Sequence, residues 1–269
     1  MTSRNWRSKL VRSGCKSVPA ICAYTNEYVP PYVPSTLTTS TFSVVGDITW
    51  TAPAYVTSVE YLVVGGGGGG GGAYDTGAAG GGGGGLALTG TFVTTPGTTY
   101  NITVGGGGAG GAGSTSLVPH EYSGIDGSNS VFASIIAYGG GGGLSSRNDG
   151  SGQGGTAASG IIPPTGGSGA GNASGGNNGG GGGGNTSNGD GPTLSPSISY
   201  GGAGLTSTIS GITMAYGAGG NGGSVYTSQN GTSGANNTGN GGNGASAVSS
   251  DGKMGGNGGS GIVILKYYV

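Results

Sequence analysis

Unbroken runs of glycine constrain this chain more than anything else in its sequence. Of 73 glycines among 269 residues, 71 lie between Gly65 and Gly261, in blocks of up to eight, while residues 1–64 hold only Gly14 and Gly46. A block without side chains cannot bury apolar surface, and ordering it costs more backbone entropy than ordering any other residue type. Glycine does not recur strictly every third residue and there are only 11 prolines, which excludes a collagen helix. Eight basic and nine acidic residues are too few for disorder driven by charge repulsion.

The short runs between the glycine tracts carry the β-branched and aromatic bias of strands. They are 40–45, 48–51, 59–64, 90–94, 99–104, 131–138, 198–200, 208–216 and 262–268. No helical periodicity extends beyond one turn through Trp6 and Leu10, so the expected fold class is all-β. Thr95-Pro96-Gly97-Thr98 has the residues of a tight turn, and residues 90–104 read as a hairpin. Several runs stop abruptly at glycine: Val64 meets Gly65–Gly72, Val104 meets Gly105–Gly108, and Tyr138 meets Gly139–Gly143.

Two readings of the tracts compete. Gly/Ser tracts are ordinarily random coil, which makes them linkers. Their placement argues otherwise, because several long structureless loops within one domain are uncommon. The sharper expectation is a β-sandwich-like scaffold with glycine-rich excursions packed side by side as polyglycine II-type helices of three residues per turn. Without Cβ atoms such backbones approach closely and exchange hydrogen bonds, with Asn and Ser at the rim.

Five of the eight basic residues fall in the first 16 positions, followed by Tyr28-Val29-Pro30-Pro31-Tyr32-Val33-Pro34. The prolines make a stiff spacer, so residues 1–36 read as an attachment arm and 37–269 as the glycine-rich β domain. Arg4, Trp6, Arg7, Lys9, Leu10 and Arg12 are its anchoring candidates. Docking on a partner, a disordered tail and nucleic-acid binding are the readings of this arm, nucleic acid ranking last. Cys15 and Cys22 can bridge or remain free thiols. A basic start without an apolar core, and no apolar run of 18 residues, leave neither a Sec signal nor a membrane span to be expected.

Ligand contacts are expected where shape or charge interrupts glycine. The candidates are Tyr74 and Asp75, then His120, Glu121 and Tyr122, then Arg147, and Tyr226, with the proline-containing loops 161–164 and 192–196 behind them. Exposed aromatics beside a few polar groups suit glycan or protein recognition, though scattered surface tyrosines are also ordinary. His120-Glu121 lacks an evident nucleophile, a single His with two Cys does not furnish a zinc site, and the glycine blocks open no helix as phosphate loops do. No enzyme activity and no cofactor are therefore expected. Asn101, Asn172, Asn185, Asn230 and Asn236 head N-x-S/T sequons, which this composition produces by chance.

The stretches TAPAYVTSVEYLVVGGGGGGGG, TTPGTTYNITVGGGGAGG, SVFASIIAYGGGGG and GGNGGSGIVILKYY, in this order and spacing, resemble the glycine-rich domain that recurs in viral and phage structural proteins. More loosely, the chain resembles the distal tail-fibre adhesins of T-even-like phages, in which stacked polyglycine helices support variable receptor-binding loops. The resemblance runs from Thr41 to Val269 and leaves residues 1–36 outside it. It implies a virion surface protein, assembled in the host cytoplasm: a fibre, adhesin or capsid-decoration subunit. Its partners would be other virion proteins through the arm and a host glycan or protein through the loops, with trimers as the oligomer that viral fibres suggest. A self-assembling extracellular filament or matrix protein is the rival reading, and an ice-binding protein the third.

Overall fold

A computed structural model describes residues 36–74, 77–113, 122–145, 178–191, 198–249 and 251–269. The described residues are all-β, with no helix among them. Sheet A has the order β1 (Leu37–Phe42), β10 (Ile262–Tyr268), β3 (Ser58–Val64), β4 (Ala87–Val93), every pair antiparallel. Sheet B has the order β2 (Gly46–Thr51), β5 (Thr99–Val104), β6 (Ser130–Phe132), β7 (Ile135–Ala137), also antiparallel. A small hairpin, β8 (Leu205–Ser207) with β9 (Met214–Tyr216), stands apart from both.

The two sheets form a sandwich because alternate residues of each strand meet in one core. Val59 and Val63 of β3 and Val263, Leu265 and Tyr267 of β10 pack against Trp50, Ile102, Val104 and Phe132 of sheet B. Aromatic rings fill the centre, with Trp50 and Tyr267 at 5.4 Å and Phe92 edge-on to Phe132 at 5.2 Å. The opposite residues of the same strands, Leu62, Val64, Ile262 and Ile264, form a second cluster with Tyr216, covered by the β8–β9 hairpin. Burial on both faces explains why β3 and β10 read as nearly continuous apolar runs.

Three local expectations change. Residues 90–104 are not a hairpin: β4 pairs with β3 and β5 with β2, so the Thr95–Thr98 turn carries the chain from one sheet to the other. The run 131–138 is two short strands, folded back at Ala133, whose φ of 52° reverses the chain. Residues 198–200 form no strand, and within 208–216 only Met214–Tyr216 does.

Glycine rows leave the sandwich from one end. Residues 65–72 continue β3, 105–113 continue β5, 138–144 follow β7, 217–223 continue β9, and 254–261 lead into β10. Residues 65–73 run through the middle of the bundle, and all nine of their N–H groups donate to other rows. Gly65, Gly68 and Gly71 donate to Leu86, Gly83 and Gly80. Gly66, Gly69 and Gly72 donate to Ser128, Ile125 and Tyr122, and Gly67, Gly70 and Ala73 to Gly259, Gly256 and Lys253. The direction of hydrogen bonding thus recurs every third residue. Three further rows donate back: Gly140 and Gly143 to Gly66 and Gly69, Gly108 and Gly111 to Gly67 and Gly70, Gly242 and Ala245 to Gly68 and Gly71. Six rows therefore surround one.

Such spacing leaves no room for a side chain inside. A Cβ on Gly70 would overlap the carbonyl of Asn243, which belongs to a neighbouring backbone and has nowhere to move. On the rim, a Cβ on Gly106 would meet only a Val45 methyl, at 3.5 Å. Gly70→Ala is therefore expected to destabilise the fold by about 3 kcal/mol or more, as severe overpacking does. Gly106→Ala should be neutral or stabilising by up to about 1 kcal/mol. Chemical denaturation of the two variants checks the contrast.

Candidate attachment face at the outer end of the glycine bundle

The rows turn back at the end of the bundle farthest from the sandwich, and these turns gather residues that are remote in sequence. Ala73 bridges to Lys253, and Ser246 bridges to both Ala78 and Gln229. Beneath the turns, Ala73, Ala79, Ala245 and Ala247 form a buried cluster that closes the outer end of the rows.

Of the expected contact residues, Tyr74, Tyr122 and Tyr226 are all brought to this end. Tyr74 follows the Ala73–Lys253 bridge, Tyr122 accepts the Gly72 N–H through its backbone carbonyl, and Tyr226 lies in the turn after Ser224, whose N–H reaches Ser246 Oγ at 2.7 Å. Tyr226 is the most open of the three, at 67 % exposure. Asp75, His120, Glu121 and Arg147 lie outside the described residues, as do loops 161–164 and 192–196. The arm residues Arg4, Trp6, Arg7, Lys9, Leu10 and Arg12, and both cysteines, also lie outside them.

The structure adds residues to this face that the sequence did not single out. Exposed Met254 and Tyr200 stand at outer ends of rows, as does the ion pair of Lys253 with Asp251 at 3.9 Å. Each is a larger residue adjoining a glycine row, and that adjacency is the signal that could have found them. Among the described residues no three His, Cys, Asp or Glu side chains stand close enough to hold a metal ion. None of the described residues forms a helix long and apolar enough to cross a membrane.

The face is held in place by ladders of side chains along the rim. Asn240, Asn243 and Ser246 accept the N–H groups of Ala218, Asn221 and Ser224 at 3.0, 2.9 and 2.7 Å. Asn129, Asp126 and Ser123 accept those of Gly139, Gly142 and Ser145 at 2.9, 2.7 and 3.3 Å. Asn230 and Ser233 do the same for Met254 and Asn257. A short polar side chain reaches one row sideways and satisfies a donor that no backbone carbonyl meets. The spacing i, i+3, i+6 is visible in the sequence as N-x-x-N-x-x-S and S-x-x-D-x-x-N. Asn185, one of the sequon heads, is buried instead and accepts the Ala87 N–H at 3.1 Å.

Opposite this face, Thr36 and Val269 exchange two backbone hydrogen bonds of 3.0 and 2.9 Å at the end of sheet A away from the bundle. Leu37 pairs with Tyr268 there, whereas Phe42 pairs with Val263 beside the glycine rows. The chain thus enters the domain at one pole and presents Tyr74, Tyr122 and Tyr226 at the other.

A family model described as a glycine-rich domain matches residues 40–268. No curated protein matches the chain. Asn243→Ala should cost about 1–3 kcal/mol, because it strands the Asn221 N–H in a tight rim, whereas Tyr226→Ala should change stability by less than about 0.5 kcal/mol. Thermal melts of both variants, with amide exchange at Asn221, check this.

Proposed function

Since this chain belongs to the glycine-rich domain family, we propose that it is a non-enzymatic structural protein of a virion surface, anchored by residues 1–36 and presenting its outer loops to a host surface. The observation that carries this reading is the opposition of the two poles: the arm joins at Thr36, beside Val269, and the tyrosine-bearing turns lie beyond the far end of the rows. A rigid spacer with an attachment segment at one end and tyrosine-bearing turns at the other is what an adhesin or decoration subunit requires. The virion setting rests on the likeness of the four glycine-bordered motifs to viral and phage structural proteins.

We read the rows as polyglycine II-type helices, a reading supported by the recurrence of hydrogen-bond direction every three residues. At about 3.1 Å per residue, such rows would hold the outer turns roughly 25 Å beyond the sandwich.

One observation favours the filament reading. An open groove of about 640 Å³ runs along the rim between Gly106, Ala109, Ser233, Asn236 and Gly258. Among the described residues, the N–H and C=O of Gly107 in this groove have no partner. It has the form of an unfilled position for one more glycine row from another copy. Filaments of the purified domain in electron micrographs would favour this alternative, and a discrete species would count against it.

Imaging of purified particles with crosslinking from residues 1–36 tests the proposal. The arm should crosslink to particle proteins, and deleting residues 1–35 should abolish incorporation. Tyr74→Ala combined with Tyr226→Ala should leave incorporation intact and weaken host attachment about tenfold or more, the effect of losing about 1.4 kcal/mol of binding. Absence of the protein from particles would overturn the reading.

A further inference from the structure

The sequence contains seven Asn-Gly pairs, beginning at Asn178, Asn188, Asn221, Asn230, Asn240, Asn243 and Asn257. Asn-Gly is chemically labile because glycine places no side chain between its amide nitrogen and the preceding carboxamide. That nitrogen attacks the Asn Cγ, ammonia leaves, and water opens the resulting succinimide to aspartate or isoaspartate. The attack needs two freedoms: the glycine N–H must be unengaged, and the carboxamide must rotate towards it.

The glycine bundle removes both freedoms at six of the seven pairs. The Oδ1 atoms of Asn240, Asn243 and Asn230 accept the N–H groups of Ala218, Asn221 and Met254, and the glycines that follow them donate to the carbonyls of these same three residues at 2.8–2.9 Å. Each pair is clamped to a single residue of the adjacent row. Asn178, Asn221 and Asn257 accept from Val225, Gly201 and Gly110, while Gly179, Gly222 and Gly258 donate to Gly223, Ser199 and Gly108.

Asn188 differs on both counts. It is exposed, in the turn that follows Gly184 and Asn185. Its neighbour Ser187 is held by Ala203, whose N–H meets Ser187 Oγ at 2.8 Å. Yet neither the Asn188 carboxamide nor the Gly189 N–H has a partner among the described residues.

We propose that Asn188 is the deamidation site of the native protein, a modification that converts one neutral carboxamide into a carboxylate while the bundle preserves the other six asparagines. Deamidation at those six must await local opening of the rows, so its rate is scaled down by the open fraction.

The test is to incubate the intact protein at neutral pH and body temperature for several weeks, natively and in concentrated denaturant, and to map peptides by mass for replacement of NH2 by OH. In the native sample Asn188 should convert at least about tenfold faster than Asn240 or Asn243, and in denaturant all seven should convert at comparable rates. Asn188→Gln should abolish the native charge change without altering the melting curve. Conversion of Asn240 or Asn243 as fast as Asn188 in the native protein would overturn the proposal. So would survival of Asn188 under native conditions while the denatured chain loses it.

Discussion

Every other feature of this molecule depends on hydrogen bonding between backbones in six lateral directions, three through N–H groups and three through carbonyls. In a sheet, a strand bonds to neighbours on two sides and packs through its side chains on the others. The central row 65–73 instead bonds all round, giving to three rows and taking from three others. Only a chain stripped of Cβ atoms can do this, since a single methyl group at Gly70 would occupy the position of the next row's carbonyl. Fixing a residue costs about 1–2 kcal/mol and a hydrogen bond returns about 0.5–1.5 kcal/mol, so such a bundle is close to balance by itself. The sandwich tips that balance. Strands β3, β5 and β10 are locked in an apolar core and hand their ends to rows in register, which spares the bundle most of the cost of finding its partners.

The rim follows from the same constraint. Interior rows are glycine or alanine at every position, as residues 65–73 and 77–85 are, and both stretches are buried throughout. A peripheral row has one free side in three, and there a side chain is allowed. The chain spends that freedom on Asn, Ser and Asp, whose oxygens reach donors of the neighbouring row. The same hydrogen bonds that stiffen the rim also restrain the asparagines chemically, so mechanical order and chemical durability arise from one geometry.

Much of this was legible in the sequence. The β-branched runs ending in glycine located most strands, and the placement of the tracts argued against linkers. Two-sheet connectivity was not legible: a Pro-Gly turn between two strands signals a reversal, and nothing in Thr95–Thr98 distinguishes a hairpin from a passage between sheets. The break at Ala133 was hidden because alanine rarely takes a positive φ, and the core contacts around Phe132 impose it against local preference. The convergence of Tyr74, Tyr122 and Tyr226 could not be read either, since it depends on rows from distant parts of the chain having matched lengths. The ladders were visible as three-residue spacing of Asn and Ser, a period masked by the abundance of both residues.

Amide exchange resolved along residues 65–73 tests the central claim most directly. Buried donors bonded on every side should exchange as slowly as those of β3 and β10, through global unfolding alone. Exchange across these residues at the rate of an unstructured glycine peptide, with the strand amides still protected, would show that the rows are tethers and would contradict the account.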